Sequence, residues 1–289
     1  MTSFAFHPAA SLAEATALLA QYGDGTQLLA GGTSLMLLNR LGLLAPDHVV
    51  GLRDVGELRG IAVDDAGALR LGALTKLRDI ETAPEVRGVP VLAEAAHHVA
   101  TVRIRNQATL GGSLGHADPA QDVPPALIAL DARVDVAGPN STRQLPVEDL
   151  FTGYLETSLH PGELVTGVAV PRSTRGTRGG YLKFLPRTAD DYATVSVAAV
   201  VDVVDGRVTR IRVALGAVAP TPVRAHSVEA ALVDGHVTSE QLRGAAEFVR
   251  QDIDPTSDAR GSASYKNDVA VVCVRRLLGR LLETEQEGR

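Results

Sequence analysis

Small, flexible and acidic residues are concentrated in residues 104–131 (IRNQATLGGSLGHADPAQDVPPALIALD). Gly111 and Gly112 lack a Cβ, so their backbone N–H groups can approach a ligand closely. Thr109 and Ser113 add short hydroxyl donors on either side. Such a donor set suits a phosphate or pyrophosphate, although a plain tight turn has the same composition.

Asp118 and Pro119 follow this glycine pair. An Asp followed by a Pro is typical of a helix N-cap and the first helical residue. We therefore predict a helix beginning at Pro119, with an apolar continuation at 126–130. Its positive dipole end would lie close to the glycine loop and would favour an anion there.

A second glycine pair has similar surroundings. Residues 27–30 are predicted as a short buried strand, residues 31–34 (GGTS) follow, and an apolar helix is predicted at 35–43. A strand, glycines, hydroxyls and a helix in this order present bare N–H groups to an anion. Two such loops predict a divided pyrophosphate cradle, which fits a dinucleotide held extended between them.

Other chemistries are less well supported. The chain has neither G-x-G-x-x-G nor G-x-x-x-x-G-K-[ST]. Residues 111–115 match G-x-S-x-G, but a poor strand precedes them and Pro119 delays the helix, which disfavours a serine hydrolase. His116 could contact a ligand or merely end the turn. Cys273, in an apolar run at helical spacing, is interpreted as a buried structural thiol.

A polar and aromatic cluster comprises Lys183, Arg187, Asp190, Asp191 and Tyr192. Tyr192 is one of five tyrosines in a chain without tryptophan. An aromatic side chain at a junction between loop and strand can stack on a flat ring system. A solvated loop leading into a strand explains the cluster equally well.

These segments belong to a chain of 289 residues, which is longer than a single core usually supports. The glycine-rich linker at 173–180 marks a domain boundary. Before it we predict helices at 11–22, 75–82 and 89–100 and strands at 49–52, within 60–74, at 133–137 and at 164–170. After it we predict a hairpin of strands 194–204 and 208–215 and helices at 227–232, 238–250 and 263–283.

The composition excludes several classes of function. A net charge of −6 without a basic block argues against a nucleic-acid partner. One cysteine cannot ligate an iron–sulfur cluster, and the histidines lack metal-binding spacing, so no metal site is predicted. The apolar runs are too short for a membrane span, and the first residues do not resemble a secretory signal, which predicts a cytoplasmic protein.

Four segments resemble the FAD-binding subunit or domain of the molybdenum hydroxylases, the family of xanthine dehydrogenase and of the carbon monoxide dehydrogenase medium subunit. They are LLAGGTSL (28–35), IRNQATLGGSLGHADPAQDVP (104–124), KFLPRTADDYATVSVA (183–198) and YKNDVAVVCVRRLL (265–278). They occur in order over nearly the whole chain. The separate carbon monoxide dehydrogenase type is the more similar branch.

The resemblance implies an α+β fold: a two-subdomain FAD-binding fold of the vanillyl-alcohol oxidase (PCMH) type, followed by a C-terminal α+β domain with a small antiparallel sheet and helices. The FAD-binding domain would cover residues 1–175, with subdomains of about 1–55 and 56–175. The C-terminal domain would cover residues 180–285.

The resemblance also implies which residues bind FAD. The pyrophosphate and ribityl groups would lie against residues 28–35 and 109–113, Asp118 and Asp122 would bind cofactor hydroxyls or fix the loop, and Lys183 and Tyr192 would lie near the isoalloxazine. Leu164 or Val165 would border the adenine. The complete predicted set is Leu28, Leu29, Ala30, Gly31, Gly32, Thr33, Ser34, Leu35, Thr109, Gly111, Gly112, Ser113, His116, Asp118, Asp122, Leu164, Val165, Lys183 and Tyr192.

Two residues depart from the family pattern. Ser34 stands where the family usually has Asp or Glu, and Ser113 stands where Asn is frequent. Serine supplies a hydroxyl group at both positions, so FAD binding should survive. The lost charge at Ser34 could shift the potential of the flavin.

The implied function is electron relay. Electrons from a molybdopterin-binding large subunit would pass through a [2Fe–2S] small subunit to FAD on this chain and then to an external acceptor. No catalytic acid or base is required, because the cofactor carries the chemistry. The alternatives are a stand-alone FAD-dependent oxidoreductase, for example in secondary metabolism, and a non-flavin protein that uses the same fold as a scaffold.

Overall fold

The computed structural model describes residues 3–174, 176–185, 188 and 191–282. The predictions for Arg187, Asp190 and Glu283 therefore lie outside the described residues. Helices and sheets are mixed along the chain, in agreement with the predicted α+β class.

The first structural unit is a parallel sheet of three strands in the order β1-β3-β2. Its elements are β1 (Ala5–Pro8), α1 (Leu12–Tyr22), β2 (Thr26–Leu29), α2 (Leu35–Arg40) and β3 (His48–Gly51). The Ser11 hydroxyl caps α1 by accepting the N–H of Glu14 at 3.2 Å. β1 was not predicted, because its residues are exposed or half-buried and show no apolar pattern.

The second unit is an antiparallel sheet of five strands in the order β4-β5-β10-β6-β7, with helices packed against it. Its elements are β4 (Ile61–Val63), β5 (Leu69–Gly72), α3 (Leu77–Thr82), α4 (Pro90–His97), α5 (Val102–Arg105), α6 (Leu110–His116), α7 (Val123–Ala129), β6 (Arg133–Ala137), β7 (Thr142–Pro146), β8 (Phe151–Gly153), β9 (Glu156–Thr157) and β10 (Leu164–Val170). β8 and β9 form a small separate hairpin.

The third unit is an antiparallel sheet of four strands in the order β11-β12-β13-β14, with helices after it. Its elements are β11 (Thr177–Phe184), β12 (Val195–Val204), β13 (Arg207–Gly216), β14 (Val223–Arg224), α8 (His226–Leu232), α9 (Ser239–Glu247) and α10 (Ala263–Leu282). The structure confirms the predicted hairpin, and a capping box between Thr238 and Gln241 begins α9.

Strand β12 is covered on both faces. Val195 and Val197 pack with residues of α8, α9 and α10, whereas Ala198 and Val200 belong to the core of the second unit. Each buried Val or Leu contributes about 1.5–3 kcal/mol relative to an exposed one, so this double coverage holds the third unit firmly against the second.

The linker predicted at residues 173–180 is shorter than expected, because β11 begins at Thr177. This strand also contains Lys183, so the interpretation of that residue as part of a solvated loop is wrong. Among the residues that the structure describes, no helix combines the length and apolar character that crossing a membrane requires.

Candidate functional site

A cavity of about 790 Å³ lies where the three units meet. Its volume is within the range of about 300–1,000 Å³ typical of ligand sites. Seventeen of the predicted site residues line it: Leu28, Ala30, Gly31, Gly32, Thr33, Ser34, Leu35, Thr109, Gly111, Gly112, Ser113, His116, Asp122, Leu164, Val165, Lys183 and Tyr192. Leu29 and Asp118 do not line it.

The first glycine segment leaves backbone donors at the cavity. Within the described part of the chain, no hydrogen bond uses the N–H group of Gly31, Gly32, Thr33 or Ser34. Gly32 has φ +73°, a conformation that other residues rarely adopt. A row of N–H groups without protein acceptors is suited to binding a phosphate.

The second glycine segment differs from the prediction of an open loop. Gly111 and Gly112 lie in the first turn of α6, and their N–H groups donate to the Ala73 carbonyl (2.8 Å) and the Thr109 hydroxyl (3.2 Å). A Cβ on Gly111 would lie 2.6 Å from the Cβ of Ala73. This glycine therefore permits close packing of α6, and its N–H is not free for a ligand.

Ser113 is also held within this helix. Its hydroxyl donates to the side-chain oxygen of Gln121, and its N–H donates to the Thr109 carbonyl at 2.9 Å. A nucleophile elbow would place the serine at a sharp turn between a strand and a helix. The geometry around Ser113 is therefore not that of a serine hydrolase.

The prediction of a helix beginning at Pro119 is wrong. The Asp118 carboxylate accepts the N–H of Ala120 at 2.8 Å and so closes a turn, and helix α7 begins only at Val123. Asp and Pro are as common in turns as at helix N-termini, so the local sequence could not distinguish these structures. Asp118 thus shapes the segment that leads to Asp122.

The two glycine segments are in direct contact. Gly31 packs against the main chain of Gln107, with no room for a Cβ. A Cβ on Gly112 would lie 3.9 Å from that of Ala30. The segments are therefore brought together as predicted, but with different roles in hydrogen bonding.

Lys183 and Asp122 form a buried ion pair at the cavity. Their side chains are 1% and 5% exposed, and Lys183 Nζ donates to Asp122 Oδ2 at 2.9 Å. Asp122 Oδ1 accepts a hydrogen bond from the Tyr181 hydroxyl. Both carboxylate oxygens of Asp122 thus accept hydrogen bonds, so Asp122 holds the side chains of Lys183 and Tyr181 in place. Burial raises the pKa of Asp122, against the opposing effects of Lys183 and Tyr181.

Tyr181 was missed by the sequence analysis. It is fully buried, and burial together with the adjacent Asp122 carboxylate raises its pKa well above the usual value. Tyr181 and Lys183 are two residues apart in β11, so their side chains project from the same face of the strand. That spacing is the signal that could have revealed it.

Tyr192 lies at the exposed side of the cavity, with 42% of its surface accessible. The guanidinium of Arg260 lies 5.6 Å from the centre of its ring, and Arg260 also donates to Asp191 at 3.1 Å. This cation–π contact fixes the ring next to the cavity. Arg260 was not predicted as a site residue.

His116 lines the cavity, and burial lowers its pKa, with Asp118 acting in the opposite direction. It is therefore present mainly as the neutral imidazole near pH 7.

Arg105 shapes another part of the wall. It is buried, donates to Glu81 at 2.8 Å and to the carbonyls of Val99 (2.9 Å) and Ala100 (2.8 Å). Val99 and Ala100 line the cavity. Arg105 was not selected from the sequence, because a carboxylate 24 residues away and two backbone carbonyls leave no local pattern.

These features fit an elongated dinucleotide. Gly31–Ser34 supply N–H donors, a buried cation lies on the wall at Lys183, and an exposed aromatic ring lies at Tyr192. A diphosphate at the first feature and a flat ring system at the other two would match the donors and charges present.

Comparison with known proteins gives two family matches. Residues 2–173 match "FAD binding domain in molybdopterin dehydrogenase", and residues 180–281 match "CO dehydrogenase flavoprotein C-terminal domain". The carbon monoxide dehydrogenase medium chain of Hydrogenophaga pseudoflava is 36% identical over 95% of this chain and 96% of that protein. A 6-hydroxypseudooxynicotine dehydrogenase complex subunit alpha of Paenarthrobacter nicotinovorans is 33% identical over 97% and 95%.

The fold has a similarly extensive match. A solved structure of carbon monoxide dehydrogenase from Hydrogenophaga pseudoflava superposes with a TM-score of 0.94 at 37% identity, covering 97% of this chain and 98% of the matched chain. These matches confirm the two-subdomain FAD-binding fold and the small antiparallel sheet predicted from the sequence.

Proposed function

The chain belongs to the family of FAD-binding subunits of the molybdopterin dehydrogenases, and we propose that it relays electrons from a partner subunit through FAD to an external acceptor. It is an oxidoreductase subunit, and its cofactor is FAD. The relay, the partners and the positions of the cofactor groups are our proposals.

We propose that the pyrophosphate lies at Gly31–Ser34, where four N–H groups have no acceptor in the described part of the chain. The ribityl group would lie along Thr109 and Ser113, and the adenine along Leu164 and Val165. The isoalloxazine would lie between Lys183 and Tyr192. Leu29 and Asp118 would support this site from behind it.

FAD bound there would accept and release electrons singly or in pairs, so it could connect a one-electron carrier to a two-electron acceptor. The residues of this chain would bind the cofactor, hold its ring and limit access of water. The lone cysteine cannot ligate an iron–sulfur cluster, so such a cluster must come from a partner.

The partners follow from the relatives. The similar proteins are called a medium chain and a complex subunit, and this chain covers almost their full length. We therefore propose a molybdopterin-binding large subunit and a [2Fe–2S] small subunit as partners. The division near residues 175–180 and the cytoplasmic location remain predictions.

The observation that carries the proposal is one cavity lined by both glycine segments and by Lys183 and Tyr192 of the third unit. The test begins with the absorption spectrum of the purified chain and chromatography of the cofactor released by acid. The second step adds a reduced [2Fe–2S] protein and follows flavin absorbance in a stopped-flow instrument.

We expect about one FAD per chain and rapid bleaching of the flavin by the reduced iron–sulfur protein. Bleaching only by an organic substrate or reduced nicotinamide added without a partner would instead identify a stand-alone flavoenzyme. A chain that does not bind FAD would contradict both functions.

A further inference from the structure

Lysine is rare among the basic residues of this chain, and Lys183 is one of the few. Of the 28 basic residues, three are lysines, and the side chains of Lys183 and Lys266 are both buried. An ammonium is a compact charge, and burying it costs several kcal/mol unless it has partners. A buried lysine that lines a cavity therefore requires an explanation beyond packing.

The ammonium of Lys183 has three N–H donors. One reaches Asp122 Oδ2 at 2.9 Å and another reaches the carbonyl of His98 at 3.0 Å. Among the described residues, Nζ has no third hydrogen-bond acceptor. Lys183 lines the cavity, so this third donor would be within reach of a ligand bound against its side chain.

The hydrogen bonds around Lys183 join two units of the fold. Asp122 immediately precedes α7, whereas Lys183 and Tyr181 lie on β11. The Tyr181 hydroxyl occupies the second oxygen of Asp122, so the carboxylate is held on both sides. The position of the cation is thus determined by a closed network of side chains.

Reduction of the cofactor changes the charge next to this network. Two electrons and one proton convert oxidised FAD to a reduced form that carries one additional negative charge on the isoalloxazine. In the proposed relay the electrons come from the iron–sulfur partner and the proton comes from water. A cation held close to the bound ring would stabilise that charge.

We propose that Lys183, held in place by Asp122 and Tyr181, donates to the isoalloxazine and raises the midpoint potential of the bound FAD. This inference rests on the proposed function, because it requires FAD in the cavity. It assigns to Asp122 and Tyr181 a positioning role and to Lys183 an electrostatic role.

The experiment measures the potential of FAD in the purified full-length chain by equilibration with redox dyes, which needs no partner subunit. The test variants are Lys183→Met and the double variant Lys183→Met with Asp122→Asn. The double variant is required because Lys183→Met alone leaves a buried carboxylate without its partner. Lys183→Arg retains the charge.

Lys266→Met is the matched control. Lys266 is also a buried lysine paired with a carboxylate, at 2.8 Å from Asp258, but it does not line the cavity. The Lys266→Met variant should be less stable than the native chain, but the midpoint potential of its FAD should be unchanged. Cofactor content and circular dichroism are recorded for every variant.

We expect Lys183→Met to retain FAD and to lower the equilibrium constant for its reduction by on the order of 10- to 100-fold, as expected for the loss of one charge close to the ring. The double variant should change it in the same direction but by less, because Asp122→Asn also removes the opposing negative charge. Each tenfold change equals about 30 mV for a two-electron couple. Lys183→Arg should recover at least half of the shift.

A native potential in Lys183→Met with full FAD would overturn the inference and leave the proposed function intact. Loss of FAD from both the Met and Arg variants, with native circular dichroism, would also overturn it, since the lysine would then serve cofactor retention. Absence of FAD from the native chain would instead contradict the proposed function itself.

Discussion

Gly31 lies directly against the main chain of Gln107: a Cβ on the glycine would overlap the Gln107 carbonyl oxygen. This contact joins the glycine segment of the first unit to the residues that precede Thr109 and α6. The free N–H groups of residues 31–34 therefore depend on a close approach between two segments far apart in the chain.

We expect Gly31→Ala to abolish FAD retention, because the added methyl group must push the two segments apart. It should also lower the free energy of unfolding by about 1–3 kcal/mol, as is typical of overpacking. The measurements are the ratio of flavin to protein after gel filtration and a urea denaturation curve.

Gly244→Ala serves as the control for this substitution. Gly244 lies in α9, and a Cβ there would meet nothing within 4 Å. It should retain FAD and gain about 0.5–1 kcal/mol from the better helix propensity of alanine. Full FAD occupancy in Gly31→Ala would contradict the role of this contact.

Tyr192→Ala should alter the flavin spectrum or its rate of reduction while leaving the fold intact. The ring is 42% exposed and contacts Arg260, so its removal should cost little stability. Phe248→Ala removes an aromatic ring of equal exposure outside the cavity and should leave the spectrum unchanged. An unchanged spectrum and reduction rate in Tyr192→Ala would remove Tyr192 from the site.

Asp131 connects the second and third units. Its carboxylate pairs with Arg210 (2.5 Å), Arg212 (3.1 Å) and Arg224 (3.3 Å). We expect Asp131→Asn to lower the free energy of unfolding by about 1–2 kcal/mol near pH 7, because the site is partly exposed and solvent weakens each pair. Asn is the suitable replacement, since the residue has φ +51° and Asn tolerates that conformation.

The effect of Asp131→Asn should depend on pH. Burial by itself raises the pKa of Asp131, but the hydrogen bond from Arg210 and the nearby arginine charges outweigh it and leave the pKa below 3.8. A lowered pKa in the folded state stabilises the fold above about pH 4, and this contribution is lost as the pH falls through the folded value.

Urea denaturation of both proteins between pH 7 and pH 3 would check this expectation. Asp268→Asn is the control: that carboxylate is 71% exposed and pairs with Arg250, so its loss should cost less than about 0.5 kcal/mol. Equal losses of stability for the two substitutions at pH 7 would show that the arginine cluster does not stabilise the contact between the units.

Cys273 should be unreactive in the folded protein. The thiol is 2% exposed, and burial raises its pKa to about 11, so only about one thiol in a thousand is ionised at pH 8. We expect an aromatic disulfide reagent to label no thiol in the native chain and one thiol per chain in urea. Rapid labelling of the native chain would contradict the observed burial.

The sequence by itself determined the class of fold, the alternating strands predicted at 194–204 and 208–215, the cofactor and seventeen of the residues that line the cavity. These features are local: alternation specifies a strand face, and glycines beside hydroxyl residues specify where a backbone can approach a ligand. The four motifs in order were enough to identify the family.

Only the tertiary structure decided how the polar groups are used. The N–H of Gly111 donates to Ala73, and Lys183 is paired with Asp122, 61 residues away. Hydrogen-bond partners so distant in the chain are chosen by packing between sheets and leave no local signal, which is why the open loop at Gly111 and the helix at Pro119 were wrongly predicted. The packing of β11 against α4, and of α7 against β12 and β13, brought Lys183 to the cavity and Tyr181 to the Asp122 carboxylate.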